Sequence, residues 1–377
     1  MAVGVPGSGA RAGVRHRFNS TSGGVSIGAD RDVTRWRIWA PAARVVAIAA
    51  ACVAGLGLLL VVLRYDPARA AAALLNGAFG SWYAIGSGTL VRATPLVLTG
   101  LAVAIAFRGG VFNVGAEGQF LVGATAATAA ALYGPPLHSA ALVPLCFLAG
   151  AGAGAFWAAI AAILRTRFHV LEVISTIMLN FAATYLVSYL VRGPMQEPTR
   201  VYPQTSPVPR SAELVRLFQG TRLHLGFLVA VVAAGIAWWA MRSTAAGFRL
   251  RVTGANPDAA KIAGRINVQR VVFSAFAISG ALAGLAGAIE VQGVTFALYE
   301  NISPGYGYTA IAVALLARLD AMLVVPAGIV FGALEAGAAA MQRDAGVPSV
   351  VVSIVEAALI LALLASRGVR QRFRETV

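Results

Sequence analysis

From residue 44 onward, apolar residues run in stretches of roughly 20, the length of helix that crosses the hydrocarbon layer of a bilayer, separated by short polar or glycine-containing gaps. The pattern predicts spans at 44–63, 90–107, 112–133, 140–164, 171–191, 225–241, 271–289, 306–317, 322–341 and 350–365. The eighth is short. It opens on Ser303-Pro304-Gly305-Tyr306-Gly307-Tyr308-Thr309, whose proline and two glycines disfavour a regular helix, so a broken helix is expected there. The fold class that follows is an all-α polytopic membrane protein of about ten transmembrane helices, since spans of this length satisfy their own backbone hydrogen bonds in lipid only as helices. A match between 99–106 (TGLAVAIA) and 279–286 (SGALAGLA), five spans apart, suggests an inverted five-helix repeat.

Composition removes the soluble alternatives. A chain that is 58% hydrophobic and 12% charged, with a mean hydropathy of +0.76, needs lipid as its solvent. The formal charge of +15 would suit nucleic acid only if the basic residues made one face of a soluble fold, and here the arginines fall in the gaps between apolar runs. They are topology signals, because cytoplasmic loops collect Lys and Arg. The basic N-terminal stretch (Arg11, Arg15, Arg17, Arg31, Arg35, Arg37) and the C-terminal one (Arg367, Arg370, Arg372, Arg374) then both lie in the cytoplasm, which requires an even number of spans. The same orientation puts Arg165, Arg167 and the arginine-rich loop 242–270 inside, and the longest loop, 192–224, outside. Residues 1–43 lack periodicity and are expected to be a disordered cytoplasmic tail, 44–366 the transmembrane domain and 367–377 a second tail. Cys52 and Cys146 sit inside apolar runs, which argues against a disulfide framework.

Polar residues inside the spans carry the candidate chemistry. Glu172, Thr176, Asn180, Thr184 and Ser188 recur every four residues, with Ser175 alongside, so they share one helix face that should not meet lipid. That face either lines a path for a polar solute or makes hydrogen bonds between helices. Glu172 is ionisable near a span and therefore a functional candidate, or else it marks the cytoplasmic boundary. The run Phe112-Asn113-Val114-Gly115-Ala116-Glu117-Gly118-Gln119 sets two amides and a carboxylate among glycines: a gate, or a packed turn capped by Asn113. Tyr306 and Tyr308 suit either stacking on a planar solute or anchoring at the membrane interface. In the loop 242–270, Asn256 as cap, Pro257 at the first position, Asp258 in the first turn and Gly264 as terminator predict a short helix whose Ala259, Ile262 and Ala263 are spaced to meet a partner. The only lysine, Lys261, is followed by Ile262 and not by Ser or Thr after a glycine-rich turn, so no phosphate-binding loop is present. His16, His138, His169 and His224 have no metal-ligand spacing.

Six stretches together resemble the ABC-transporter permeases of the branched-chain amino acid and simple sugar group, and within it the nucleoside (guanosine-type) branch. They are TPL and GLA within 94–102, RGGVFNVGAEGQ at 108–119, EVISTIMLN at 172–180, GANPDAA at 254–260, SGALAGLAG at 279–287 and IAVALLA at 311–317. The resemblance implies a multi-pass subunit of the bacterial plasma membrane that is not itself an enzyme, binds no cofactor, and moves a nucleoside by alternating access. It implies as partners an ABC ATPase that uses ATP and Mg, a second permease subunit encoded as a different chain, a substrate-binding lipoprotein and membrane lipid, with no nucleic acid. The translocation pathway would include Asn113, Glu117, Gln119, Glu172, Ser175, Thr176, Asn180 and Tyr308, and Asn256, Pro257, Asp258, Ala259, Ala260, Ile262 and Gly264 would form the coupling helix seated in the ATPase. Leu319-Asp320 after Arg318 departs from the glycine- and proline-containing turn expected there, as does the long basic N-terminal tail. A sugar or branched-chain amino acid permease, or an ATP-independent secondary transporter, are the alternatives.

Overall fold

The computed structural model describes residues 54–348 apart from 56, together with 350, 351, 354 and 357, all within one compact unit. The N-terminal tail, most of the first and tenth predicted spans and the C-terminal tail lie outside the described residues. The described chain is helical and contains no strand, only the isolated bridges Gln204–Tyr299 and Arg216–His224.

In order come α1 (Pro67–Phe79), a π-helical segment Ala84–Leu90 running into α2 (Val91–Arg108), α3 (Ala116–Tyr133), α4 (Ser139–Phe168), α5 (Glu172–Arg192), α6 (Leu225–Ser243), α7 (Ala245–Ala255), α8 (Pro257–Ala263), α9 (Val268–Glu290) with a π-helical end Val291–Thr295, α10 (Tyr306–Leu316) and α11 (Val324–Ala345). Six of these stretches are long and apolar enough to cross a membrane: 84–108, 139–168, 172–192, 225–243, 268–295 and 324–345. Local sequence sets the breaks. Asp66 caps α1 ahead of Pro67, Thr244 caps α7 by accepting from the Gly247 N–H, and Asn267 caps α9 by accepting from the Arg270 N–H.

Three expectations change. The third span does not begin at 112; residues 111–114 are non-helical and α3 starts at Ala116, because Asn113 turns the chain by accepting from the Gly115 N–H. The stretch before the second span contains α1, an alanine-rich helix packed on α11 that is too short to span. The loop 242–270 holds two helices, α7 as well as the expected α8.

Of the most apolar 18 residues of span 84–108, 83% are buried, against 28% for those of 139–168, 172–192 and 225–243, so α2 is central and the other three lie toward the outside. Packing around the centre is reciprocal: α2 lies against α10 and α11, which follow α9, while α9 lies against α3 and α4, which follow α2. Lipid gives helices little hydrophobic reason to associate, so close backbone approach matters. A Cβ on Gly284 would stand 2.2 Å from the Gly150 carbonyl oxygen, and one on Gly154 2.2 Å from that of Gly280, so α9 and α4 touch through their backbones. Cys146 is buried in this packing.

Candidate functional site

Two faces can be told apart by their loops. One carries the C-terminal ends of α2, α4, α6 and α10 and the helices α7 and α8; the other carries the segment 193–224, which lies across the end of α9 through Leu214 N–H to Gln292 O, Val208 N–H to Phe296 O and Thr205 N–H to Leu298 O. Between them α10 is only 11 residues long. At 1.5 Å per residue it covers about 16 Å, half a hydrocarbon layer, so its first turn lies deep inside.

Beyond the turn at 109–110 that closes α2, residues 111–114 return into the protein outside any helix, and such backbone is tolerated at membrane depth only if the protein satisfies it. It does so here with carboxamides. Asn113 exchanges two hydrogen bonds with Gln119, each 3.0 Å, and donates to Ser279 Oγ of α9 at 2.9 Å. Asn180 of α5 accepts from the Gly118 N–H at 2.8 Å and donates to the Val114 carbonyl at 3.0 Å and the Tyr308 hydroxyl at 3.3 Å. Glu117 accepts from the Gly307 N–H at 2.7 Å and so caps the buried N-terminal end of α10. Asn113, Gln119 and Asn180 are all fully buried. The turn at 109–110 fits because Gly110 takes φ +71 with the Gly254 backbone of α7 directly against it.

The sequence-predicted residues therefore divide. Asn113, Glu117, Gln119, Asn180 and Tyr308 meet in one network. Ser175 and Thr176 are buried beside it but donate to carbonyls of their own helix. Glu172 pairs with Arg165 at 3.1 Å, at the end of its span, and Arg165 also donates to the Gly110 carbonyl. Thr184 donates to the Asn180 carbonyl, and Ser188 binds the Glu300 carboxylate, which Arg192 grips at 2.6 and 2.7 Å. Those bonds from Arg192, then that from Ser188, hold the Glu300 carboxyl down at about 2. Tyr306 is not an interface anchor: it is buried, with its ring 5.8 Å from that of Phe120. Tyr308 is half-exposed.

Sequence reading missed a cavity of about 590 Å³ on the side of the 193–224 segment, walled by Arg92, Arg222, Glu290, Tyr299, Tyr306 and Glu335 among others, with both π-helical segments at its edge. The signal was present, since Arg92, Glu290 and Glu335 are ionisable groups inside spans. The first turn of α10 separates this cavity from the carboxamide network. His224, which caps α6 through Nδ1, is held neutral: burial, then the charge of Arg222, pulls its imidazole down to about 4. No cluster of metal-ligating side chains occurs among the described residues.

On the opposite face α8 stands out from the protein. Asn256 caps it by accepting from the N–H groups of Asp258 and Ala259, and Ile262 is 81% exposed, while Ala260 is buried. A Cβ on the neighbouring Gly254 would fall 2.1 Å from the Arg108 carbonyl, so α7 rests on the end of α2 and the start of the re-entrant segment. Arg318 and Leu319, at the departure noted in the sequence, both adopt left-handed backbone, and Arg108 fastens the turn by donating to the Leu319 carbonyl.

Residues 85–364 match the permease component of the branched-chain amino acid transport system. The chain belongs to that family. The permease is 41% identical to the guanosine ABC transporter permease protein of Bacillus subtilis over 83% of this chain and 90% of that one. It is 39% identical to the glucose ABC transporter permease protein of Haloferax volcanii, over 85% and 86%, and 31% identical to a nucleoside ABC transporter permease protein of Lactococcus lactis, over 80% and 85%. No solved structure matches it. The matched region takes in the network, the cavity and α8, and the permease is a multi-pass protein of the bacterial plasma membrane.

Proposed function

We propose that this permease is one half of the channel of an ATP-driven nucleoside importer, working by alternating access with a partner ATPase that uses ATP and Mg. The observation that carries the reading is the 41% identity with a guanosine permease along nearly the whole of both chains. The permease contributes no ATPase site of its own and works with a second, different permease chain and a substrate-binding lipoprotein. Ten spans, both termini in the cytoplasm and an inverted repeat complete the fold; the reciprocal packing of α2 and α9 supports the repeat.

In this reading α8 is the coupling helix, with Asn256, Pro257, Asp258, Ala259, Ala260, Ile262 and Gly264 seated in the ATPase. Its exposed Ile262 and the backbone contact of Gly254 with Arg108 give a direct route inward. Movement of α7 and α8 shifts the segment 109–115. Asn113, Glu117, Gln119, Asn180 and Tyr308 pass that shift to the first turn of α10 and act as the gate of the translocation pathway, steadied by Glu172, Ser175 and Thr176.

Purification from the native membrane in mild detergent, with mass spectrometry of proteins and small molecules, tests the reading. Recovery of an ATPase, a second permease and a lipoprotein carrying a nucleoside supports it. A lipoprotein carrying glucose, the solute named for the 39% identical relative, replaces the solute and keeps the machine. The chain recovered alone and active in ion-driven uptake overturns the whole.

A further inference from the structure

Glu290 ends α9 inside an apolar span, is 5% exposed, and faces the 590 Å³ cavity. Its carboxyl makes no hydrogen bond or ion pair with any of the described residues. Burying such a group without a partner is costly, and a span keeps one where it serves binding or transport. Two guanidinium groups line the same cavity. Among the described residues, the Arg92 side chain bonds the Gly88 carbonyl of the π-helical segment, at 3.5 Å, and the Arg222 side chain that of Val294, at 3.2 Å, which leaves most of their five donors each over. Neither closes on Glu290. The cavity thus holds the arginine donors apart from the Glu290 carboxyl, with a second carboxyl, Glu335, and two aromatic rings, Tyr299 and Tyr306, also in its wall. Its volume falls in the range of about 300–1,000 Å³ that accommodates small organic ligands.

We propose that this cavity holds the solute in transit and that Glu290, with Arg92 and Arg222, selects nucleosides whose base carries a lactam edge, an N–H beside a C=O, as in an oxopurine. The proposal rests on the nucleoside reading above. Glu290 accepts from the ring N–H, the arginines donate to the adjoining carbonyl oxygen, and the tyrosine rings meet the base face. The oxopurine carbonyl oxygen O6 and the imidazole-ring N7, both acceptors, are together a good match for arginine. Adenosine offers the reverse order, a ring nitrogen that accepts where Glu290 also accepts, and leaves the site's polar groups unpaired. Sites built on such hydrogen bonds reject the wrong partner strongly.

The test is ATP-driven uptake of labelled guanosine, inosine and adenosine into vesicles containing the complete importer, with solute-loaded binding lipoprotein at saturation. Wild type is expected to favour guanosine and inosine over adenosine. Glu290→Gln, which keeps the shape of the side chain, is expected to cut that preference by about tenfold or more. Glu290→Asp, which keeps the carboxyl, is expected to retain the preference at a lower rate. A wild type that moves the three equally, a Glu290→Gln importer with the wild-type ratio, or two variants that lose all three solutes in proportion would each overturn the proposal. A wild type that carries glucose and no nucleoside overturns the nucleoside reading and the base selection with it; loss of selection alone, with nucleoside uptake intact, leaves that reading standing.

Discussion

Replacing Asn180 by leucine removes three hydrogen bonds while nearly preserving the shape of the side chain. The bond to Tyr308 matters least, because that hydroxyl sits on a half-exposed side chain and can turn to another partner. The other two matter more: the Gly118 N–H, an unsatisfied donor of the first turn of α3, and the Val114 carbonyl of the re-entrant segment both lose their partner in a region without water. Each orphaned group costs about 1–3 kcal/mol, so two cost about 2–6 kcal/mol, a large share of a typical total of about 5–15 kcal/mol. Thr184→Val on the same helix is the comparison, since Thr184 donates only to a carbonyl of its own helix and is exposed, and a change of under about 0.5 kcal/mol is expected. Reversible unfolding in mixed detergent micelles reads both, with uptake measured in parallel. Equal stabilities for the two variants would refute the idea that Asn180 clamps the re-entrant chain.

Gly284→Ala places a Cβ 2.2 Å from the Gly150 carbonyl oxygen and should destabilise by about 1–3 kcal/mol in the same unfolding assay, whereas Gly152→Ala, with nothing within 4 Å, should be neutral or slightly stabilising. Acid should loosen the segment 296–305 from the end of α5. The Glu300 carboxyl is depressed from its ordinary 4.5 to about 2, so its contribution is complete above pH 4.5 and is lost as pH falls through 2. Glu300→Gln should remove that part of the pH dependence, and an unchanged profile would show that Arg192 and Ser188 do not hold the segment. Changing Asn256-Pro257-Asp258 to a Gly-Ser linker should abolish uptake and co-purification of the ATPase while leaving membrane levels intact; uptake that persists would remove α8 from the coupling role.

Helix positions were legible because lipid imposes length and composition, and α8 because its cap, proline and glycine terminator are local signals. The polar run at 112–119 is visible in the sequence, but its partners are 62 to 190 residues away: Gly118 meets Asn180, and Glu117 meets Gly307. No periodicity within one helix reports such a pairing. The four-residue spacing of α5 placed Thr176 and Asn180 together on the buried face, yet could not show that Thr176 turns to its own backbone while Asn180 reaches across. Glu290 was overlooked for a different reason: a lone carboxylate at the end of an apolar run looks like a span boundary, and only the π-helical continuation to Thr295 places it inside.

The reciprocal packing of α2 and α9 also bears on how the protein is made. Besides α9, the helices α10 and α11 supply much of the packing around α2, and the distance from Arg108 to Ala345 is 345 − 108 = 237 residues. At a synthesis rate of about 5–20 residues per second, α2 waits on the order of 10–50 s for its neighbours. Until α9, α10 and α11 have all been made, a helix bearing Arg92 and destined for the centre of the protein lacks part of its native packing from the second half. Insertion of this chain therefore cannot proceed as a series of finished helices, and a fragment that stops before Tyr306 presents the membrane's proteases with an unsealed core.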